Sequence, residues 1–278
     1  MVLLLLVDLD PDLAALRPLG GFFLLHTTSH TTSHPTSHTT SHDTPHTTGA
    51  DPDALPTLAQ VYAGRASQVH PDPLGFRVRK VAEALGAREP RVAASVAHLG
   101  LAARLWSVAL GCAALYGRAP DLDPRLLRWD PDAVTPYDLR LTDVRPRRPR
   151  PADADTVADA LADAVQSAHL EPLAAALRAR YRIAPGLLRG NAASALAGAA
   201  RTLDGWSREH GRTDVADRAR ALTADLFTHP LLAGTGTLSG TAFRRRSCCL
   251  YYRLPGAGVC GDCCFTRPPR SSPRAASG

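Results

Sequence analysis

The sequence predicts a mainly α-helical protein. Of its 278 residues, 45% are apolar, which is ample for a buried core, and only 5% are aromatic. Alanine and arginine dominate, and Lys80 is the single lysine. This composition favours helices packed through small side chains over a β-sandwich. We therefore expect a helical body in two parts, a small C-terminal lobe and at most a minor β-ribbon.

The amino-terminal segment does not have the pattern of an export signal. Its apolar run covers only residues 2–7, has no basic flank and is followed by Asp8, Asp10 and Asp12. We assign residues 1–25 to the start of the helical body.

Residues 26–49 repeat histidine at every fourth position. Helical spacing of this kind could bind metal, but threonine and serine are poor helix formers, and Pro35 and Pro45 would interrupt a helix. We expect a disordered, low-complexity insertion, with adventitious or regulatory metal binding as the alternative.

The rest of the body divides into an N-terminal helical part, 50–144, and a C-terminal helical part, 155–240, joined by an Arg/Pro linker, 145–154. Apolar periodicity predicts helices over 55–64, 76–85, 91–116, 156–182, 186–206 and 213–227. Alternation within 121–143 predicts the β-ribbon. Glycine spacing in GTGTLSG, 234–240, does not fit a dinucleotide loop, so we expect a turn there.

The most hydrophobic stretch, 92–116, is interrupted by His98 and Arg104, and its longest uncharged part has thirteen residues. A membrane span needs roughly 18 or more. We expect a core helix in a cytoplasmic protein, with Cys112 as a core thiol. Asn191 and Ser194, in a later alanine-rich segment, either pack in the core or line a ligand cleft.

The net charge of +6 is concentrated near the carboxyl end, where residues 244–278 contain seven arginines and one acidic residue, Asp262. This local charge predicts an anionic partner or an anionic site. Nucleic acid is disfavoured, since no RNA-binding motif or helix-turn-helix signature is present.

Five of the six cysteines lie within residues 247–265, in the pattern C-C-x10-C-x2-C followed by a fifth thiol, Cys264. A disulfide between adjacent cysteines is strained, although pairing across the loop stays open. Zinc would require a special turn at the adjacent pair, whereas a two-iron cluster accepts ligands from several directions. We favour iron–sulfur and expect the nearby arginines to lower the thiol pKa values.

These residues also carry a family resemblance. The segment RRRSCCLYYRLPGAGVCGDC resembles the C-terminal signature of the FhuF-like ferric siderophore reductases, and the segments 94–111, 121–129, 187–201 and 232–238 resemble its actinobacterial branch. The resemblance implies a cytoplasmic 2Fe–2S protein of iron acquisition whose cluster ligands are Cys248, Cys249, Cys260 and Cys263. Cys264 departs from the family pattern, and we interpret it as a buried free thiol.

The implied activity is one-electron reduction of siderophore-bound ferric iron, with no catalytic residue beyond the cluster in the lobe, 241–266. The expected partners are a ferric siderophore and a separate electron donor, with peripheral contact to an inner-membrane importer as a further option. The ferric complex would lie in a cleft between body and cluster, near Arg244, Arg245, Arg246 and Arg253. A disordered tail, 267–278, would follow. The alternative is a zinc-stabilised helical binding module without redox activity.

Overall fold

Helices form most of the chain in the computed structural model, which describes Leu13 and residues 16–27, 54–118, 121–144 and 156–269. The mainly α fold class is confirmed. The α-helices of the described residues are α1 (Leu58–Tyr62), α2 (Pro73–Leu85), α3 (Pro90–Tyr116), α4 (Val157–Leu161), α5 (Glu171–Arg180), α6 (Pro185–Glu209) and α7 (Thr213–Leu226).

The helix boundaries follow from local capping chemistry. A capping box between Thr57 and Gln60 begins α1, and the Asp72 carboxylate accepts the Gly75 N–H to begin α2 three residues earlier than predicted. Gly117, with φ 71°, ends α3 in the left-handed conformation that glycine adopts without steric cost. The helix predicted over 156–182 is present but is divided, because the π-helical stretch Ala162–Leu170 joins α4 to α5.

The core is built around α3, which packs along α6 and α7. α3 is the one helix of the described chain with the length and composition of a membrane span, yet 72% of its most apolar window is buried inside the protein. The prediction of a core helix is confirmed, and Cys112 is buried on it. Alanines at 193, 197 and 200 of α6 are buried and permit close helix contact.

A buried ion pair fixes the segment before the histidine tract to α3. The Arg104 Nε lies 3.0 Å from Asp138 Oδ1, and both side chains are almost fully buried. The Arg104 Nη1 donates to the carbonyls of Gly21 (3.0 Å) and Phe22 (2.6 Å). One guanidinium therefore holds residues 21–22 and the loop around Asp138 on the same side of α3.

The predicted β-ribbon is present as β2 (Leu127–Trp129) paired antiparallel with β3 (Leu139–Leu141). A two-residue strand, β1 (His26–Thr27), adds to β3 in parallel. These two residues belong to the tract that we expected to be disordered, and the remainder of that tract lies outside the described residues. The Arg/Pro linker over 145–154 and the tail beyond residue 269 also lie outside them.

The turn predicted over 234–240 is wrong in part, because residues 236–239 form a strand. β4 (Gly236–Ser239) pairs antiparallel with β5 (Ala242–Arg245) through a two-residue turn that begins at Gly240, φ 59°. A side chain at 236 would place its Cβ 2.3 Å from the Arg244 carbonyl oxygen. Glycine there permits close strand approach, and the glycine content hid the strand from the sequence analysis.

Candidate metal centre

The hairpin β4–β5 delivers the chain directly to the cysteines. The Arg245 N–H donates to the Asp262 carbonyl oxygen (3.0 Å), so the end of β5 lies beside the second cysteine pair. Within that pair, the Cys263 N–H donates to the Cys260 carbonyl oxygen (3.1 Å) in a tight turn. The two ends of the cysteine segment are thus brought together by backbone hydrogen bonds.

The adjacent cysteines are followed by a left-handed residue. Leu250 has φ 69° and is the single non-glycine residue with positive φ in the described chain. Its N–H donates to Cys248 Sγ at 3.2 Å, and a short 3-10 helix, Tyr251–Arg253, follows. The Phe265 N–H approaches Cys263 Sγ in the same way, at 3.4 Å. Backbone N–H groups directed at sulfur stabilise thiolate charge and tune bound clusters.

The sulfur atoms are close together but are not bonded. Cys249 Sγ and Cys260 Sγ lie 3.4 Å apart, far beyond a disulfide bond of about 2.05 Å, and all six cysteines are free. Two thiolates on one tetrahedral metal with metal–sulfur bonds of about 2.3 Å would lie about 3.8 Å apart. The disulfide alternative is therefore not supported, and this pair has the spacing of two ligands of one metal ion.

The remaining thiols surround this pair without closing a site for a single ion. Cys248 is within electrostatic range of Cys249, Cys263 and Cys264, and Cys260 is within range of Cys263. In the described part of the chain, no group of three or more His, Cys, Asp or Glu is arranged to hold one metal ion. Two pairs of cysteines in one short segment supply the four thiols that two irons bridged by sulfide require.

The thiol pKa values differ along the segment. The pKa of Cys249 falls to about 6, first because of its hydrogen bond with the Cys260 thiol and further because of the Tyr251 N–H and the Arg245 charge, against the effect of burial. The pKa of Cys260 is raised by the same hydrogen bond. Burial raises the pKa of Cys248 and Cys264. The charge of Arg245 still lowers the pKa of Cys260 and Cys264, as expected of the nearby arginines, but burial and the neighbouring thiols outweigh it.

A hydrogen-bonded chain connects the helical body to Cys249. The Ser95 hydroxyl of α3 donates to the Cys249 carbonyl oxygen (2.8 Å), and the Asn191 amide of α6 donates to the Ser95 carbonyl oxygen (2.9 Å). Arg245 Nη2 donates to Asn191 Oδ1 (2.8 Å). Asn191 is thus buried in the core, which is one of the two alternatives stated from the sequence, and its hydrogen bonds join α3 to Arg245 of the cysteine lobe. Ser194 lines the cleft described below.

The four arginines expected to bind an anionic substrate lie in different environments. Arg244 and Arg246 are exposed, and Arg244 donates to the Cys264 carbonyl oxygen at 3.2 Å. Arg253 forms an exposed ion pair with Glu89 (2.7 Å). Arg245 differs from the expectation of a surface group because it is only 2% exposed and is bound to Asn191 and the Leu187 carbonyl oxygen.

A cleft of about 530 Å³ lies between the body and the cysteine segment. Residues 19–23 form one wall, α3 and α6 form the floor, and residues 260–262 close the side nearest the sulfurs. The lining is mainly apolar, and it includes an ion pair between Arg201 and Asp262 (3.0 Å). The sequence analysis missed Arg201, although it stands at the end of the alanine-rich segment considered as a cleft wall.

Comparison with curated proteins finds no match to the chain. Comparison with protein families gives one match, to the family described as FhuF 2Fe-2S C-terminal domain, over residues 245–265. This range contains Cys248, Cys249, Cys260 and Cys263 and leaves the helical body unmatched. The resemblance stated from the cysteine signature is confirmed over residues 245–265, and this match points to a 2Fe–2S cluster held by the C-terminal lobe.

Proposed function

We propose that the protein is a ferric-siderophore reductase. The observation that carries the proposal is the position of Cys260, which is both in the cysteine signature and in the wall of the 530 Å³ cleft. When bound, the 2Fe–2S cluster supplies one-electron redox chemistry. A ferric complex inside the cleft would contact residues 260–262, beside one of the thiols that would hold the cluster.

Release of the iron follows from its coordination chemistry. A siderophore holds ferric iron through hard oxygen donors, and the ferrous ion formed by one-electron reduction is larger, less charged and more weakly held by them. The protein therefore needs no general acid, base or nucleophile. Its residues have only to bind the complex, exclude bulk water and hold four thiolates, which we assign to Cys248, Cys249, Cys260 and Cys263.

The cleft offers two kinds of contact to such a complex. Its apolar lining, which includes Phe22, Val96 and Leu99, accepts the organic periphery of a chelate. An ion pair between Arg201 and Asp262 lies where α6 meets the cysteine segment. Arg244 and Arg246 have exposed guanidinium groups outside the cleft lining, available to anionic substituents that extend beyond it. The volume is within the range of sites that bind small molecules.

The proposal also covers the location of the protein in the cell and its partners. We place the protein in the cytoplasm, where thiols stay reduced, and expect a separate electron donor, since the described residues contain no nucleotide loop. Peripheral contact with an inner-membrane importer would deliver the complex. Nucleic acid is not an expected partner.

The test begins with protein purified without oxygen. We expect red-brown material with two irons and two sulfides per chain, which bleaches on reduction and then converts a ferric siderophore to ferrous iron, captured by a coloured ferrous chelator. Serine substitution of each of Cys248, Cys249, Cys260 and Cys263 should abolish the visible absorption, whereas Cys264→Ser, the matched control, should retain it. Colourless protein that contains zinc would support the alternative binding module and contradict the reductase.

The cleft is tested by filling it. Gly100 lines the cleft, and a Cβ at this position meets no atom within 4 Å, so Gly100→Leu adds a side chain to open space. We expect the visible spectrum to be unchanged and KM for the ferric complex to rise about tenfold or more. Gly205→Leu on α6 also meets no atom within 4 Å, lies outside the cleft lining and serves as the control. An unchanged KM for Gly100→Leu would place the substrate elsewhere.

A further inference from the structure

Arg245 carries a buried charge for which the described chain provides no carboxylate. Its side chain is 2% exposed, and among the described residues it forms no ion pair. Its Nε is buried without a hydrogen-bond partner. Asp262, whose backbone carbonyl accepts the Arg245 N–H, directs its carboxylate to Arg201 instead.

The neighbouring histidine cannot balance this charge. His98 is fully buried on α3, and its Nδ1 has no hydrogen-bond partner in the described structure. Burial, and secondly the charge of Arg245, lowers the pKa of His98 to about 3. The imidazole is therefore neutral at physiological pH and contributes no charge beside Arg245.

An isolated buried cation is destabilising unless a negative group offsets it. The negative groups within range are the thiolates, because the charge of Arg245 acts on Cys249, Cys260 and Cys264. A centre of two ferric ions, two sulfides and four thiolates carries two negative charges, and one-electron reduction adds a third. Arg245 thus lies where its attraction to the centre grows on reduction.

The guanidinium is also held in place by the helices on which the lobe rests. It donates to Asn191 Oδ1 (2.8 Å) and to the Leu187 carbonyl oxygen (3.1 Å), both on α6. Asn191 in turn binds Ser95, whose hydroxyl donates to the Cys249 carbonyl oxygen. Gly190 leaves the required space, since a Cβ there would lie 2.8 Å from Arg245 Nη2.

We infer that Arg245 is the buried counter-ion of the 2Fe–2S centre and raises its reduction potential, with Asn191 and Ser95 as the residues that position it. The inference concerns the cofactor and not the substrate. It therefore holds even if the ferric complex that the protein reduces is not a ferric siderophore. Arg245 thus makes the centre easier to reduce, whereas the exposed arginines remain at the protein surface.

The test is a spectroelectrochemical titration of the loaded, full-length protein without oxygen. Arg245→Gln should make the reduced form at least tenfold less favoured, which is a fall of 59 mV for a one-electron couple, and Arg245→Lys should retain most of the wild-type potential. Asn191→Asp, which places a carboxylate against the guanidinium, should also lower the potential. Arg253→Gln removes an exposed charge of the same lobe and should change the potential far less, because solvent and salt screen it.

Cluster loading provides the second readout. If Arg245→Gln fails to retain the cluster while Arg245→Lys retains it, the requirement is for positive charge and the inference stands. If glutamine and lysine variants both lose the cluster, the role of Arg245 is shape rather than charge, and the inference is overturned. A loaded Arg245→Gln variant with the wild-type potential overturns it equally.

Discussion

The second turn of α6 should be unusually intolerant of a methyl group. At Gly190, an added Cβ would lie 2.4 Å from Ser247 Oγ and 2.8 Å from Arg245 Nη2. Neither atom is free to move away, because Ser247 donates to the Gly186 carbonyl oxygen (2.8 Å) and Arg245 is bonded to Asn191 and Leu187. The substitution Gly190→Ala must therefore displace the start of the cysteine lobe from the helix.

The magnitude follows from three contributions. Overpacking of a tight site costs about 1–3 kcal/mol, and loss of a charged hydrogen bond costs about 1.5–3 kcal/mol. Alanine in a helix interior returns about 1 kcal/mol relative to glycine. The expected net loss is about 1.5–5 kcal/mol, and at about 2–4 °C per kcal/mol for a chain of this size, Tm should fall by about 3–20 °C.

The assay is thermal unfolding of the loaded protein, followed by circular dichroism and by cluster absorbance. Gly205→Ala is the control, because it makes the same substitution on the same helix at a position with nothing within 4 Å. It should raise stability by about 0.5–1 kcal/mol. If the two variants are equally stable, the close contact of Arg245 and Ser247 with α6 is refuted.

Two further predictions concern buried polar groups of the body. Arg104→Met leaves Asp138 buried without its partner and should lower the free energy of unfolding by about 3–5 kcal/mol. The double variant Arg104→Met/Asp138→Leu should lose less stability in thermal unfolding. Equal losses in the two variants would argue against the ion pair. Burial lowers the pKa of His169 to about 4. Between pH 6.5 and 4 the unfolded state therefore binds a proton that the folded state does not. The free energy of unfolding falls as the pH is lowered through this range. Denaturant unfolding should show a loss of up to about 1.4 kcal/mol per pH unit that His169→Gln lacks, and parallel pH profiles of the two proteins would contradict this assignment.

Much of the helical fold was predictable from the sequence. The 3.6-residue periodicity and the stop at Gly117 located α3 to within one residue at its start, because capping chemistry and burial agree there. The π-helical stretch was not predictable, since its residues have the same apolar pattern as an ordinary helix. The strand β4 was missed because Gly236 serves a close backbone contact, which depends on the partner strand.

The cysteines of the candidate site could be predicted from the sequence, but the arrangement of the residues around them could not. Adjacent cysteines and the second pair, with the signature around them, identified the lobe that the family comparison matches. The placement of Arg245 inside the protein could not be inferred, since three consecutive arginines look alike in sequence. Alternation along β5 buries Arg245 and exposes Arg244, and Arg246, which directly follows the strand, is exposed as well. Arg201 reaches the cleft only through tertiary packing.

The cysteine lobe has almost no interior of its own. Within residues 241–266, only Phe243, Arg245, Cys249 and Leu254 are buried, and the contacts that fix the lobe come from Ser95, Asn191 and Arg201 on the long helices. We therefore expect that the recognisable signature does not fold as an autonomous unit. Transplanted alone into another scaffold, these residues would carry every sulfur ligand with them and would leave behind the framework that keeps the ligands in register.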